Sequence, residues 1–151
     1  MKKTLYVHRK LLNGDEFIDW AKSQGFKNTL EPNDLHATIA FSRKEVDWDD
    51  LTPEHFLNKV RIKGGKRTVQ PLGNEGAVVL KFESPMLTKE WNYYISNGAS
   101  WDWESYQPHV SITYDGTNVN LKDVEPYKGE LLFGPHVMKE LDLNWKDKLK
   151  K

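Results

Sequence analysis

Two histidines in this chain are each followed, one spacer later, by a hydroxyl residue: His36-Ala37-Thr38 within "LHATIAFS" (35–42) and His109-Val110-Ser111 within "PHVSITY" (108–114). Imidazole is the side chain whose ordinary proton affinity lies nearest neutral pH, so one ring can take a proton while a second gives one. Two hydroxyls beside them can hold the non-bridging oxygens of a phosphoryl group. Together these groups make a base for an attacking hydroxyl and an acid for a leaving oxygen, which is what transfer at a phosphodiester requires. General acid and base help contributes roughly 10²–10⁴-fold per positioned group. Which histidine takes which role is open at this stage. The chemistry needs no metal, and none is expected: there is no cysteine, and His8, His55 and His136 match no metal-ligand spacing.

A lone His-x-Thr is common and is most often a solvent-facing or capped pair. Two of them inside strand-like runs carry more information. In the first run, Leu35, Ala37, Ile39 and Phe41 alternate with His36, Thr38, Ala40 and Ser42; in the second, Val110, Ile112 and Tyr114 alternate with His109, Ser111 and Thr113. Side chains alternate across a strand, so each histidine and its hydroxyl share a face, opposite an apolar face that packs on a core.

The elements that must position these motifs can be read around them. "TLYVHRK" (4–10) reads as a first strand, Leu5 and Val7 on one face, Tyr6 and His8 on the other. Asn13 followed by Glu16 resembles a capping box, and Phe17, Trp20 and Ala21 predict a helix to about Ser23. Residues 45–54 read as a loop or short helix start, and 55–71 as a strand region interrupted at Gly64-Gly65. "AVVLKF" (77–82) is a strand. Ser84-Pro85 opens a second helix with its apolar stripe at Leu87, Trp91, Tyr94 and Ile95. "GELLFG" (129–134) and "HVMKELDLNW" (136–145) read as two further strands. Strand, helix, motif strand thus occurs twice, in 4–42 and in 77–114, as a repeat of element order rather than of residues. No Gly-, Pro- or Ser-rich linker divides the chain, so one domain over 1–151 is expected.

Composition narrows the partners. With 22 basic and 22 acidic residues the formal charge is zero, which argues against a long nucleic acid held through its phosphates but not against a small anionic ligand. No apolar run is long enough to span a bilayer and no leader is seen, so the expectation is a cytoplasmic protein. The basic run "KVRIKGGKR" (59–67) is read either as a steering patch for an anion or, preferably, as a charge-protected edge strand. The aromatic loop "SWDWESY" (100–106) offers Trp101, Trp103 and Tyr106 as a lid over a ligand or as packing for the second helix, with packing preferred.

The two His-x-Thr/Ser motifs, together with the element order, resemble the 2H phosphoesterase family over nearly the whole chain. Within it, "TLYVHRK", "LHATIAFS", "YQPHVSITY" and the tail "LLFGP…KELDLNW" are most similar to the small phage anti-CBASS phosphodiesterases, which destroy cyclic di- and trinucleotide signals of bacterial antiviral defence. The one departure, Ser111 where the first motif has Thr38, keeps the hydroxyl. The resemblance implies an α+β fold of two lobes, with antiparallel sheets in pseudo-two-fold order and helices on the outer faces. It also implies cleavage of 3′–5′ linkages by the neighbouring ribose 2′-hydroxyl, with His36, Thr38, His109 and Ser111 catalytic and no cofactor. Base contacts carried over from it are Tyr6, Glu140 (with Asp142 as competitor) and Trp145.

Overall fold

The computed structural model describes residues 1–52, 56–73 and 75–141. Its elements run β1 (Lys2–Leu11), α1 (Gly14–Ser23), β2 (His36–Asp47), β3 (Val60–Ile62), β4 (Arg67–Leu72), β5 (Ala77–Phe82), α2 (Pro85–Ser96), β6 (His109–Thr113) and β7 (Leu131–Lys139). They form two antiparallel sheets, of strand order β2-β1-β7-β3 and β4-β5-β6. The expected repeat is present: β1-α1-β2 supplies a pair of neighbouring strands to one sheet, and β5-α2-β6 supplies the equivalent pair to the other. No helix among the described residues is long and apolar enough to cross a membrane.

The core follows the alternation. Leu5, Val7, Leu35, Ala37 and Ile39 from one sheet and Leu80, Val110 and Ile112 from the other are fully buried and belong to one apolar cluster with Phe17, Ala21 and Leu87 from the helices. α2 starts as its sequence dictates, with Ser84 Oγ accepting from Leu87 N at 3.1 Å and Pro85 in the first turn. α1 starts differently from the capping-box reading. Asn13 makes no side-chain cap. Its amide instead donates to the Glu130 carbonyl at 2.6 Å and accepts from Leu132 N at 3.1 Å, which ties the helix start to β7. A Cβ on Gly14 would lie 2.7 Å from the Pro32 carbonyl, so glycine alone lets α1 seat against the 3-10 turn Pro32–Asp34 that delivers His36.

Three element boundaries differ from expectation. β2 continues through Asp47, so the loop read from residue 45 begins later, with a 3-10 turn at Trp48–Asp50. The two tail strands are one continuous strand through Gly134-Pro135. Pro135 is tolerated because the β1–β7 ladder is irregular there, between the Arg9–His136 and Leu11–Phe133 pairs. That strand ends at Lys139. The buried positions of α2 are Leu87, Glu90 and Tyr94, with Trp91 and Ile95 only half-buried.

Glu90 is buried because β1 and β7 bring partners to it. Arg9, almost wholly inaccessible, donates from Nε and Nη2 to the two Glu90 oxygens at 2.9 and 2.8 Å, and from Nη1 to the Asn58 and Gly134 carbonyls. His136 Nε2 donates to Glu90 Oε1 at 2.7 Å and its Nδ1 accepts from the Tyr94 hydroxyl at 2.8 Å, so the ring is a neutral, fully bonded spacer. This network binds α2 to the larger sheet, although α2 is the crossover of the smaller one.

Candidate active site

The site grows from two strand pairs with the same register. Across β1–β2, Lys10 opposes His36 and His8 opposes Thr38. Across β5–β6, Lys81 opposes His109 and Val79 opposes Ser111. Each half-site therefore sets a lysine against the histidine and another residue against the hydroxyl. All four motif side chains are half-buried.

Each imidazole is aimed by the backbone just before its strand. His36 Nδ1 lies 2.8 Å from the Asp34 carbonyl, and His109 Nδ1 lies 2.9 Å from the Gln107 carbonyl. A carbonyl only accepts, so Nδ1 carries the proton in both rings and Nε2 is the nitrogen left for chemistry. The two rings sense each other. Burial holds His109 below the ordinary histidine range, the charges of His36 and Lys81 add to this, and the bond to Gln107 opposes it.

On the larger sheet the face is crowded with rings. The Tyr6 hydroxyl and Thr38 Oγ1 are 3.4 Å apart, and Tyr6 stands edge-on to His36 at 6.3 Å between centroids. His8 stacks on Tyr6 at 5.2 Å and meets His36 at 5.3 Å. Burial, with the charges of His36 and Lys139, lowers the His8 pKa to about 4. His8 thus stays neutral at ordinary pH and takes no part as an acid.

A β-bulge corrects the sequence reading of "LHATIAFS". Between the Val7–Ala40 and His8–Thr38 pairs β2 holds one extra residue, Ile39. Ile39 and Ala40 are consecutively buried, and beyond them the parity flips. Ala40 and Ser42, expected beside His36 and Thr38, turn inward opposite Val7 and Leu5; Phe41, expected in the core, turns out to join Tyr6. The second motif needs a similar correction at its end. Between the Val79–Ser111 and Val78–Thr113 pairs β6 holds one extra residue, Ile112. Thr113, expected beside His109 and Ser111, is therefore buried, and Tyr114, expected on the core face, is half-buried. Burial raises the Tyr6 pKa, the Thr38 hydroxyl opposes this and Tyr114 adds to it.

The aromatic loop is packed, as preferred. Tyr106 stacks on Trp91 of α2 at 5.6 Å and donates to the Thr38 carbonyl at 2.7 Å. Ser100 bonds Ser42 and the backbone N of Lys44, and Asp102 pairs with Arg43. Trp103 remains exposed on the edge of Phe41. Within the basic run, Arg61 pairs with Glu130, and Arg67 donates to the carbonyls of Tyr127, Gly129 and Ile62. Of the tail residues, Lys139 opposes Tyr6. Glu140 lies just past β7 and is exposed. Asp142 and Trp145 lie outside the described residues.

Sequence reasoning missed His8 as a site neighbour, and with it Phe41, Tyr114, Lys10, Lys81 and Lys139. Lys10 shares the parity of Tyr6 and His8, which was a usable signal. Phe41 and Tyr114 carried none, because bulges leave no mark in the alternation.

Residues 3–148 match the family model described as anti-CBASS protein Acb1. Anti-CBASS proteins Acb1 from Caulobacter sp. (strain RHG1) and Sphingomonas paeninsulae are 49% and 46% identical to this chain over 150 and 149 residues, covering 97% and 95% of it. The chain spans only 24% of the length of each. The Acb1 protein of Vibrio phage KVP40 is 27% identical over 148 residues, 93% of this chain and 89% of that protein. Among solved structures, a phosphoesterase superposes with a TM-score of 0.64 and E. coli LigT complexed with NADP+ with 0.65, at 13% and 14% identity. Both alignments cover 95% of this chain and 90% of the other. At that identity the likeness is one of fold, and it is the fold of 2H phosphoesterases.

Proposed function

The chain belongs to the Acb1 family of anti-CBASS proteins, and from that premise we propose that it is a metal-independent phosphodiesterase cleaving 3′–5′ linkages of cyclic di- and trinucleotides. In a host bacterial cytoplasm this would oppose CBASS signalling. The observation that carries the reading is the pair of matched half-sites: two imidazoles, each locked through Nδ1 to a carbonyl two residues back, each with a hydroxyl two residues on.

In this mechanism the ribose 2′-hydroxyl attacks its adjacent phosphorus. A new 2′-O–P bond forms as the P–O5′ bond breaks, giving a linear product ending in a 2′,3′-cyclic phosphate. The unprotonated Nε2 of one histidine takes the 2′-hydroxyl proton, and the protonated Nε2 of the other gives a proton to O5′. Thr38 and Ser111 bind the non-bridging oxygens. We assign His109 as base, because its burial favours the neutral ring that a base must be, and His36 as acid. Tyr6 supplies a face for a base to stack on, with Glu140 and Trp145 as further base contacts.

Incubation of a 3′,3′-linked cyclic dinucleotide with the protein in EDTA is expected to give linear product. The same ring lacking 2′-hydroxyls should be bound but not cut; its cleavage would make water the nucleophile. Binding without turnover of the natural ring would indicate a nucleotide sponge instead, and turnover confined to 2′,3′-cyclic RNA ends would indicate an end-processing enzyme.

The base assignment makes a pH prediction. A pKa lowered below the ordinary 6.5 or so leaves the imidazole unprotonated, and active as a base, to more acidic pH. The acidic limb of kcat/KM should therefore fall below pH 6.5 or so. A limb at or above that value would overturn the assignment of His109 as the base.

A further inference from the structure

The matched register leaves one pair of residues unexplained by the two-histidine mechanism: Lys10 directly across the ladder from His36, and Lys81 directly across from His109. Residues opposite each other in an antiparallel pair share a face, with Cβ atoms roughly 4.5–5.5 Å apart. Both lysines therefore stand on the same face as the motif histidines. Among the described residues neither is within ion-pair distance of an acid, whereas Arg9, Arg43 and Arg61 are each committed to a carboxylate. Lys139, opposite Tyr6 and near enough to His8 to depress its pKa, adds a third cation at the rim. In a chain of zero formal charge, three lysines around two imidazoles make a local positive field.

We propose that Lys10 and Lys81, with Lys139 at the rim, form the phosphate-binding frame of this site, each half-site offering an ammonium to a phosphoryl oxygen held between His36 and His109. The proposal rests on the phosphodiesterase reading and deepens it. As the 2′-oxygen adds to phosphorus and before O5′ departs, negative charge builds on the non-bridging oxygens. The hydroxyls of Thr38 and Ser111 donate to those oxygens but do not neutralise them, and a fixed cation on each side does. The lysines give up no proton; the two histidines carry both transfers. The placement has a second consequence, since a cation beside an imidazole lowers its proton affinity, as Lys81 does for His109.

The full chain and its Lys10→Met, Lys81→Met and double variants test this, with Lys10→Arg and Lys81→Arg as charge-keeping partners. Lys22→Met, in the last turn of α1, is the control. Inorganic phosphate is titrated while the ring signals of His36 and His109 are followed by NMR, and kcat/KM is measured on the cyclic dinucleotide. Each methionine variant should weaken phosphate binding by about tenfold, the loss of one such contact, and should lower kcat/KM by at least as much. The arginine variants should recover most of both. In Lys81→Met the His109 titration should move up, a change that a packing role would not produce. A double variant that binds phosphate and turns over substrate like wild type overturns the frame while leaving the phosphodiesterase reading intact. Lysine-dependent phosphate binding in a wild-type protein that cleaves no cyclic nucleotide supports the frame and sinks that reading instead.

Discussion

His36→Ala and His109→Ala are each expected to lower kcat/KM on a cyclic dinucleotide by about 10²–10⁴-fold, the value of one positioned acid or base. Thermal unfolding should stay near wild type, because each ring gives the fold a single bond to a nearby carbonyl and half-buries its remaining surface. The losses should not add in the double variant, since a proton must enter and leave within one displacement. The assignment within the pair is separable. A phosphodiester with a 2′-hydroxyl and a nitrophenolate leaving group needs no protonation on departure. On that substrate His36→Ala should keep much of its activity, while His109→Ala should stay impaired. A near-wild-type rate for either variant on the natural ring would falsify the paired mechanism.

Glu90→Ala should cost the fold about 3–5 kcal/mol, the effect of removing one member of a buried ion pair. A domain has only about 5–15 kcal/mol in total. The penalty comes less from the lost attraction than from what remains: Arg9, unable to deprotonate, is left almost inaccessible without its counter-charge, and His136 loses its acceptor. Urea unfolding measures this. Arg9→Met combined with Glu90→Leu should recover much of the loss, since apolar replacement of a whole buried pair is often near neutral. If Glu90→Ala unfolds at the wild-type urea midpoint, the network does not hold α2 to the larger sheet.

The same network sets an acid limit. Burial lowers the His136 pKa despite the opposing bond to Glu90, so the unfolded chain binds a proton there that the folded chain refuses. Stability accordingly declines as pH drops below about 6.5. Burial alone would raise the Glu90 pKa, but the bonds from His136 and Arg9 outweigh it and lower it. Its contribution is present above about pH 4.3 and is lost as pH falls further, through the folded value.

Much of this protein was legible in its residues. His36, Thr38, His109 and Ser111 stand out because a period of two is a local property, and burial of Leu35, Ala37, Val110 and Ile112 on the opposite faces follows from the same alternation. The start of α2 was equally plain, since Ser84 and Pro85 act within a single turn. The element order disclosed the two-fold repeat, and the resemblance to 2H phosphoesterases implied the antiparallel α+β fold. Arg9 and Glu90 could not be found this way. A charged residue in a strand or helix looks solvent-facing until a partner far along the chain arrives, and these two are 81 residues apart.

The sequence by itself singled out the groups proposed to carry the chemistry, because residue type and alternation need only neighbours along the chain. Tertiary structure decided how those groups are set. Strand register placed a lysine opposite each imidazole. One extra residue at Ile39 turned Phe41 toward Tyr6, and burial lowered the proton affinity of His109. Register, bulges and burial are sums over contacts between distant segments, and no window of the sequence contains them.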